Sequence, residues 1–478
     1  MSELTLAALF RSTGLYIAVL TSILLGGCAQ GYPNLPLNHW QPGVGYQAAI
    51  SRSEDSQPAE RSDKLRLMLS FSGGGTRAAA FAYGVLEVLA RTEVQVDGRT
   101  TRLLDEVDVI SSVSGGSFTA AYYGLFGDRI FRDFEAKFLN QNFHRAILSR
   151  FFLPHNWVRF LSPRFGRSDL AAAYYDRHLF EGRTFADLAR DGRVGVLINA
   201  ADMPIGGRFG FVQNQFDAIC SDLASFSVAR AVAASSAVPI AMSPIVLRNY
   251  AGRCGYVPPE WMNEAIEERD TTTRRFHFAR AQASYLDAEA RPYVHLVDGG
   301  IADNLGVRGL LDPVLAGGSF WQVVRDRGFE NVRRVVMIVV DAGTAGPETS
   351  GFWLHPPGFG QVFDAVSDAQ IRLYSYETID LLRTSFERWR TERGPSGSEH
   401  EVSFHTIHVA FEALRDAKER QYLSELSSTL NLGMEAVTRL RRDAAQIMDE
   451  SVEFQRFLKE LAADRAPLDF SNAPGALR

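Results

Sequence analysis

Val107-Asp-Val-Ile-Ser-Ser-Val-Ser-Gly-Gly-Ser-Phe118 is the stretch on which the reading of this chain turns. Val107 to Ile110 is an apolar run of strand character, and Phe118 to Leu125 has helical character. Between them lies Ser112-Val113-Ser114-Gly115-Gly116. A strand, a sharp serine-bearing turn and a helix are the setting of the nucleophile elbow, G-x-S-x-G. Small residues flank the serine there because neighbouring backbone comes very close. Ser112 stands where the first glycine belongs, as the next-smallest polar choice. Alone, S-x-S-x-G is a weak signal, since a chemically silent glycine-rich turn reads the same way.

The pattern extends in both directions. Leu65 to Phe71 reads as a strand, Gly73-Gly74-Gly75 follows, and Thr76 to Leu89 is helical. Further strands are expected at Val194–Ile198, Val294–Val297 and Val335–Val340. Strands alternating with helices imply an α/β sheet, mostly parallel, with helices on both faces. Sites in such sheets form at the C-terminal ends of strands. The two glycine-rich turns and the turn after Val297 are therefore expected to converge. Residues 250–290 are polar and charged and read as a partly helical insertion. Asn431 to about Leu461 reads as a helix with one apolar face, packed on the body.

Ser72-Gly-Gly-Gly-Thr-Arg77 can present successive N–H groups as an anion nest, backed by a helix N-terminus. Arg77 lies in the first helical turn, a poor place for a cation if helix stability were its purpose. A phosphate or the oxyanion of an acyl-transfer intermediate is the implied target. Gly73-x-Gly75-x-x-Ala78 also satisfies the loose dinucleotide fingerprint. That site wants an acidic residue after the second strand, where this chain has Ser111-Ser112-Val113-Ser114, and no Walker lysine follows the glycines. Nucleotide binding is set aside on these grounds.

A nucleophilic serine needs a base. The chain has 10 histidines, none in a glycine-flanked turn after a strand. His295 lies inside a strand, and alternation turns it away from Asp298. His405 and His408 read as strand residues far along the chain. Asp298-Gly299-Gly300 has the right setting, following an apolar run and opening a turn. An aspartate there can take the serine proton directly; the plain alternative is a turn-forming Asp-Gly.

The bulk numbers narrow the class. The 478 residues are 46% apolar and 22% charged, ordinary for a globular protein. A net charge of -6 gives no sign of nucleic-acid binding and no bulk attraction to anionic membranes. Lipid contact must come from a local patch or an anchor. Cys28 follows the apolar run Leu15–Leu25, too short to span a bilayer and suited to a signal-peptide core. Leu25-Gly26-Gly27-Cys28 resembles the bacterial lipobox, in which the cysteine is lipidated and becomes the mature N-terminus. An ordinary cleaved signal and an uncleaved anchor helix are the alternatives. Ala29, with no aspartate there, resembles lipoproteins of the outer membrane, so an envelope location facing the periplasm is expected. Cys220 and Cys254 form a disulfide or remain separate buried thiols; the sequence leaves both open. No cysteine has metal-ligand spacing.

Taken together, the three turns resemble those of the patatin-like phospholipases. That family shares an oxyanion loop G-G-G-x-R, an elbow G-x-S-x-G and a later D-G-G/A, in this order. Here they are Gly73-Gly74-Gly75-Thr76-Arg77, Ser112 to Gly116, and Asp298-Gly299-Gly300. Asn199-Ala-Ala-Asp202, Ala233-Ala-Ser-Ser-Ala-Val-Pro239 and Asp303-Asn304 add weaker similarities, and the likeness runs from Leu65 to Leu311. It implies a three-layer α/β/α fold with a helical C-terminal extension, and hydrolysis of lipid acyl esters through an acyl-enzyme. Ser114 would be nucleophile and Asp298 base, without histidine, metal or cofactor. Gly73, Gly74, Gly75 and Arg77 would form the oxyanion hole, and Ser112, Gly115 and Gly116 the elbow. Ser72, Ala78 and Ser112 depart from the family's Asp, Gly and Gly but stay small.

The expected division is a lipoprotein signal (1–27), a flexible linker (28–64), a catalytic domain (65–345) and a mainly helical region packed on it (346–478). Insertions are expected near 130–170 and 250–290. Expected partners are a phospholipid or other lipid ester and, through the anchor, a membrane; nucleic acid and nucleotide are not. A catalytically weak lipid-binding or scaffolding lipoprotein and an acyltransferase are the competing functions. Phe143 to Leu161 mixes aromatics with arginines. It is expected as a buried helical pair at one sheet edge, the alternative being an interfacial segment, and in either case a lid or acyl-chain wall. Head group, chain length and oligomeric state are left open.

Overall fold

The computed structural model describes residues 32–48, 61–162, 164–191, 193–317, 319–326, 329, 331–344, 358–392 and 402–463. Eight strands form the central sheet: β1 (Leu65–Phe71), β2 (Val107–Val113), β3 (Gly195–Asp202), β4 (Gly207–Gly210), β5 (Ile245–Arg248), β6 (Tyr293–Asp298), β7 (Arg334–Asp341) and β8 (Ser403–Ala410). Their order is β8-β7-β1-β2-β3-β6-β5, with β4 paired to β3. From β8 to β3 all neighbours are parallel. These inner strands are apolar almost throughout, as LRLMLSF in β1 and RVVMIVVD in β7, because helices bury both faces.

The helices that position the site are α1 (Gly75–Arg91), α2 (Gly115–Phe126), α3 (Phe143–Phe151), α4 (Pro154–Phe160), α5 (Arg167–Tyr175), α6 (Val228–Ser235), α7 (Gly300–Asp303), α8 (Phe359–Thr391) and α9 (Met434–Glu450). Among the described residues no helix is long and apolar enough to cross a membrane. The chain therefore has the expected α/β architecture with C-terminal helices.

The strand expected around His405 and His408 is β8, which extends the central sheet beside β7, so the sheet runs past the expected domain boundary at 345. The alternation of buried and half-buried residues in β8 is that of a strand with one face on the core. Three expectations need correction. The helix expected from Asn431 to Leu461 is two, α9 and Val452–Ala463, parted at Ser451. The expected linker is in part packed structure. Leu35–Pro36 pairs with Ser221–Asp222, Asn34 and Tyr46 are buried, and Trp40 Nε1 donates to Asp217 at 3.1 Å. This segment docks beside a disulfide joining Cys220 to Cys254, with Leu37 N and Trp40 N donating to the two cysteine carbonyls. Finally, α3 and α4 are not a buried pair. Phe143 is buried, but Leu148, Phe151, Phe152, Leu153, Trp157 and Leu161 face solvent. Cys28 and the expected signal lie outside the described residues.

Candidate active site

β1 and β2 are register-matched neighbours, Phe71 opposite Ser112, so the Gly73–Gly75 loop and the Ser114 turn emerge side by side. β6 arrives differently. It runs antiparallel to β3 and stops at Asp298, opposite Ala200, while Val113 pairs with Asn199 on the other side of β3. The three turns converge as expected, but Asp298 is delivered by a strand descending against the sheet rather than rising with it.

The Ser114 turn is strained. Its φ is 48° and ψ -118°, a backbone region that costs a non-glycine residue on the order of 1–3 kcal/mol. The turn lifts the side chain off the sheet while Gly115 N-terminally starts α2. Ser114 Oγ donates to Asp298 Oδ2 at 2.8 Å, and Asp298 Oδ1 accepts from Gly300 N at 2.8 Å. The two side chains are nearly enclosed, the residues being 7% and 8% exposed. Burial pushes the Asp298 carboxyl up to about 6, against the pull of the Gly300 amide and the Ser114 hydroxyl. The aspartate is thus ionised at neutral pH yet far more basic than a solvated one.

The elbow residues explain themselves by space. A Cβ on Gly115 would lie 2.0 Å from Gly75 O, and one on Gly116 2.7 Å from Ser72 O. Ser112, by contrast, sits in regular strand, and its Oγ donates to Leu197 O of β3 at 3.3 Å. The missing glycine is tolerated because no left-handed backbone is needed there and the hydroxyl has an acceptor.

In the preceding loop, Gly74 and Gly75 have φ of 135° and 60°, which glycine alone adopts freely. A Cβ on Gly73 would come 3.3 Å from Ser114 Cβ, so loop and serine are in close approach. The Gly73 amide is already engaged, donating to Asn304 O at 2.9 Å. Among the described residues, Gly74 and Gly75 of the loop, with Gly115, have amides that meet no protein acceptor. Two nitrogens of Arg77 are committed elsewhere, while its Nη2 lies beside the loop, 3.1 Å from where a Cβ on Gly74 would sit. Its Nε donates to Ala342 O at 2.9 Å and its Nη1 to Leu426 O. Burial pulls this guanidinium down to about 10, so it stays charged. Arg77 thus ties the start of α1 to the C-terminal half of the chain, which answers why a cation tolerates a helix N-terminus.

One residue was missed by sequence reasoning. Ser235, at the end of α6, accepts from Ser114 N at 2.8 Å, donates to Asn199 O at 2.6 Å and lies 3.0 Å from Ser117 Oγ. Its carbonyl accepts Gly299 N at 3.1 Å, and Ala237 O accepts Asp298 N at 3.0 Å. One short segment therefore fixes both dyad residues. The signal was the run of small residues Ala233 to Pro239, noted only as a family likeness. His295, in β6 opposite Val246, takes no part in the Ser114–Asp298 contact.

Fold and turns define a class: an α/β protein with a serine–aspartate pair at the head of a mostly parallel sheet. The chain belongs to the patatin-like phospholipase family, whose model matches residues 69–311, just over half its length. No curated protein matches it. Among solved structures, human GIVD cytosolic phospholipase A2 is similar at 13% identity and a TM-score of 0.42, over 91% of this chain and 69% of that one. The same enzyme in complex with methyl gamma-linolenyl fluorophosphonate gives 13% and 0.40, over 84% and 59%.

Proposed function

We propose that this protein is a lipid acyl hydrolase working through a Ser114–Asp298 dyad and an acyl-enzyme. The supporting observation is the 2.8 Å hydrogen bond from a strained, elbow-borne Ser114 to a buried Asp298 of raised basicity. Asp298 accepts the hydroxyl proton as Ser114 Oγ attacks the ester carbonyl. The oxyanion forms against the open amides of Gly74, Gly75 and Gly115. Asp298 returns its proton to the departing lysolipid or alcohol oxygen. Water then attacks the acyl-enzyme, losing its proton to Asp298, and the fatty acid leaves as the proton returns to Ser114. Family membership supports a lipid ester as substrate.

The proposal includes a location in the bacterial envelope, with anchoring through an acylated Cys28. The lipobox-like Leu25–Cys28 supports it, as does the Cys220–Cys254 disulfide, which suits an oxidising compartment. Metabolic labelling with a fatty acid, lost in Cys28→Ala, tests the anchor. The function is tested by fatty-acid release from mixed phospholipid vesicles, read by mass spectrometry. Wild type should release fatty acid, and Ser114→Ala and Asp298→Asn should not. Full activity in Ser114→Ala would overturn the assignment. A wild type that transfers the acyl group to an added alcohol but releases none to water would make it an acyltransferase.

A further inference from the structure

We infer that α3, α4 and the Val238–Ile240 loop form a docking surface for an anionic phospholipid bilayer, set beside the dyad. The inference rests on the hydrolase reading above for its purpose, though not for its geometry. Charge is the first observation. From 136 to 168 the chain has no Asp or Glu and carries Arg145, Arg150, Arg159, Arg164 and Arg167, besides a Lys137 paired with Asp133 and Glu181, in a protein of net charge -6. The bulk protein is repelled by an anionic surface and this window is drawn to it.

Apolar exposure is the second. Phe152, Trp157 and Leu161 are 63%, 58% and 75% exposed. They are held out by a built turn. Asn156 Nδ2 donates to Arg150 O at 2.8 Å, and Trp157 Nε1 donates to Phe151 O at 3.0 Å. With its one polar atom satisfied inside the protein, the indole offers water only an apolar face. Arg150 and Arg159 lie over the rings of Tyr174 and Phe165, at 4.2 and 4.0 Å, which keeps cations at the level of the aromatics. Aromatic bodies flanked by arginines suit the headgroup boundary of a bilayer.

Strain is the third. Ile240 has φ of 71° and is 64% exposed, so a β-branched residue sits in left-handed backbone with its side chain in water. Neither feature helps the fold. The loop is tied through Arg167 Nη2, which donates to Ile240 O at 2.8 Å, to the start of α5, and α5 packs on α3, so loop and helices share one exposed arc. The loop is tied to the dyad through Ala237 O, which accepts Asp298 N. The Val238–Ile240 end of the surface is therefore joined to Asp298 through the adjoining Ala237.

The test uses the full chain with Cys28→Ala, so that an acyl anchor contributes nothing, and vesicles with brominated acyl chains. On phosphatidylcholine–phosphatidylglycerol vesicles the bromines should quench tryptophan emission, and Trp157→Phe should remove most of that quenching. On phosphatidylcholine alone the quenching should be weaker. Phe152→Ser and Leu161→Ser should each lower fatty-acid release from the anionic vesicles by ~10-fold, and Arg145→Gln by about fivefold. Hydrolysis of a soluble short-chain p-nitrophenyl ester should stay within about twofold. Absent quenching, quenching indifferent to Trp157→Phe, or equal quenching on both vesicles would overturn the docking surface. A chain that is quenched yet hydrolyses neither substrate would sink the hydrolase reading and leave the docking surface standing.

Discussion

Ser114 and Ile240 are both non-glycine residues held in left-handed backbone, and the molecule uses that strain in opposite ways. At Ser114 it points a polar side chain inward, into a hub where Asp298, Ser235, Asn199 and Gly300 answer one another with hydrogen bonds. At Ile240 it points an apolar side chain outward, into water. Buried polar groups are costly unless paired, so the hub must be complete to exist at all. Exposed apolar groups cost little until they find a non-aqueous partner, so the arc can wait. On the proposed reading, the contrast separates a part that performs chemistry from a part that selects where it happens.

The strongest way to break this contrast is to remove the dyad. Ser114→Ala and Asp298→Asn should each lower kcat/KM by on the order of 10³-fold or more on soluble and vesicle substrates alike. Loss on vesicles only would move these residues out of the chemistry. A pH profile comes next. Because the Asp298 base works ionised, kcat/KM should fall about tenfold per unit below a limb at about 6 and level off above it. A limb near the ordinary carboxylate value would contradict the enclosure of Asp298.

Ser235→Ala should cost roughly tenfold in kcat with KM unchanged, because Ser114 N loses its acceptor while the substrate surface stays intact. A change confined to KM would make Ser235 a substrate contact instead. The smallest effect is on stability. Asp298 has its folded-state carboxyl raised above the usual value, so its contribution is complete at low pH and is lost as pH rises through about 6. Asp298→Asn should therefore stabilise the protein at pH 7 by on the order of 2 kcal/mol, and the gain should shrink on acidification to pH about 4. Thermal unfolding of the two proteins across that range checks it. The exposed arc variants should show no such pH-dependent gain.

Much of the hub could be read from the sequence because its constraints are local. Glycines at 74, 75, 115 and 116 are demanded by positive φ or by backbone packed against them, so they mark the turns directly. The long apolar runs of β1 and β7 declare strands buried on both faces. What escaped depends on contacts across the chain. The bracing role of Arg77 escaped because its partners, Ala342 and Leu426, lie some 265 and 349 residues further on. Ser235 sits in a run of small residues with no chemical signature of its own. The antiparallel direction of β6 was not legible, since pattern gives a strand's faces but not its direction. The segment from 143 to 161 contains what either a buried pair or an interfacial arc requires, and only packing distinguishes them.

Arg77 has a consequence for where the working unit ends. The family match stops at residue 311, yet the wall behind the glycine loop is made of residues beyond it. Ala342 and Leu426 receive the Arg77 guanidinium, Thr429 O accepts Thr76 N at 2.9 Å, and α9 packs along α1. The boundary of the family match is therefore not a mechanical one. The part of this chain beyond the family match is the brace against which the glycine loop is set, and a fragment cut at 311 would keep the Gly73–Asn304 bond but lose the acceptors of Arg77 and Thr76.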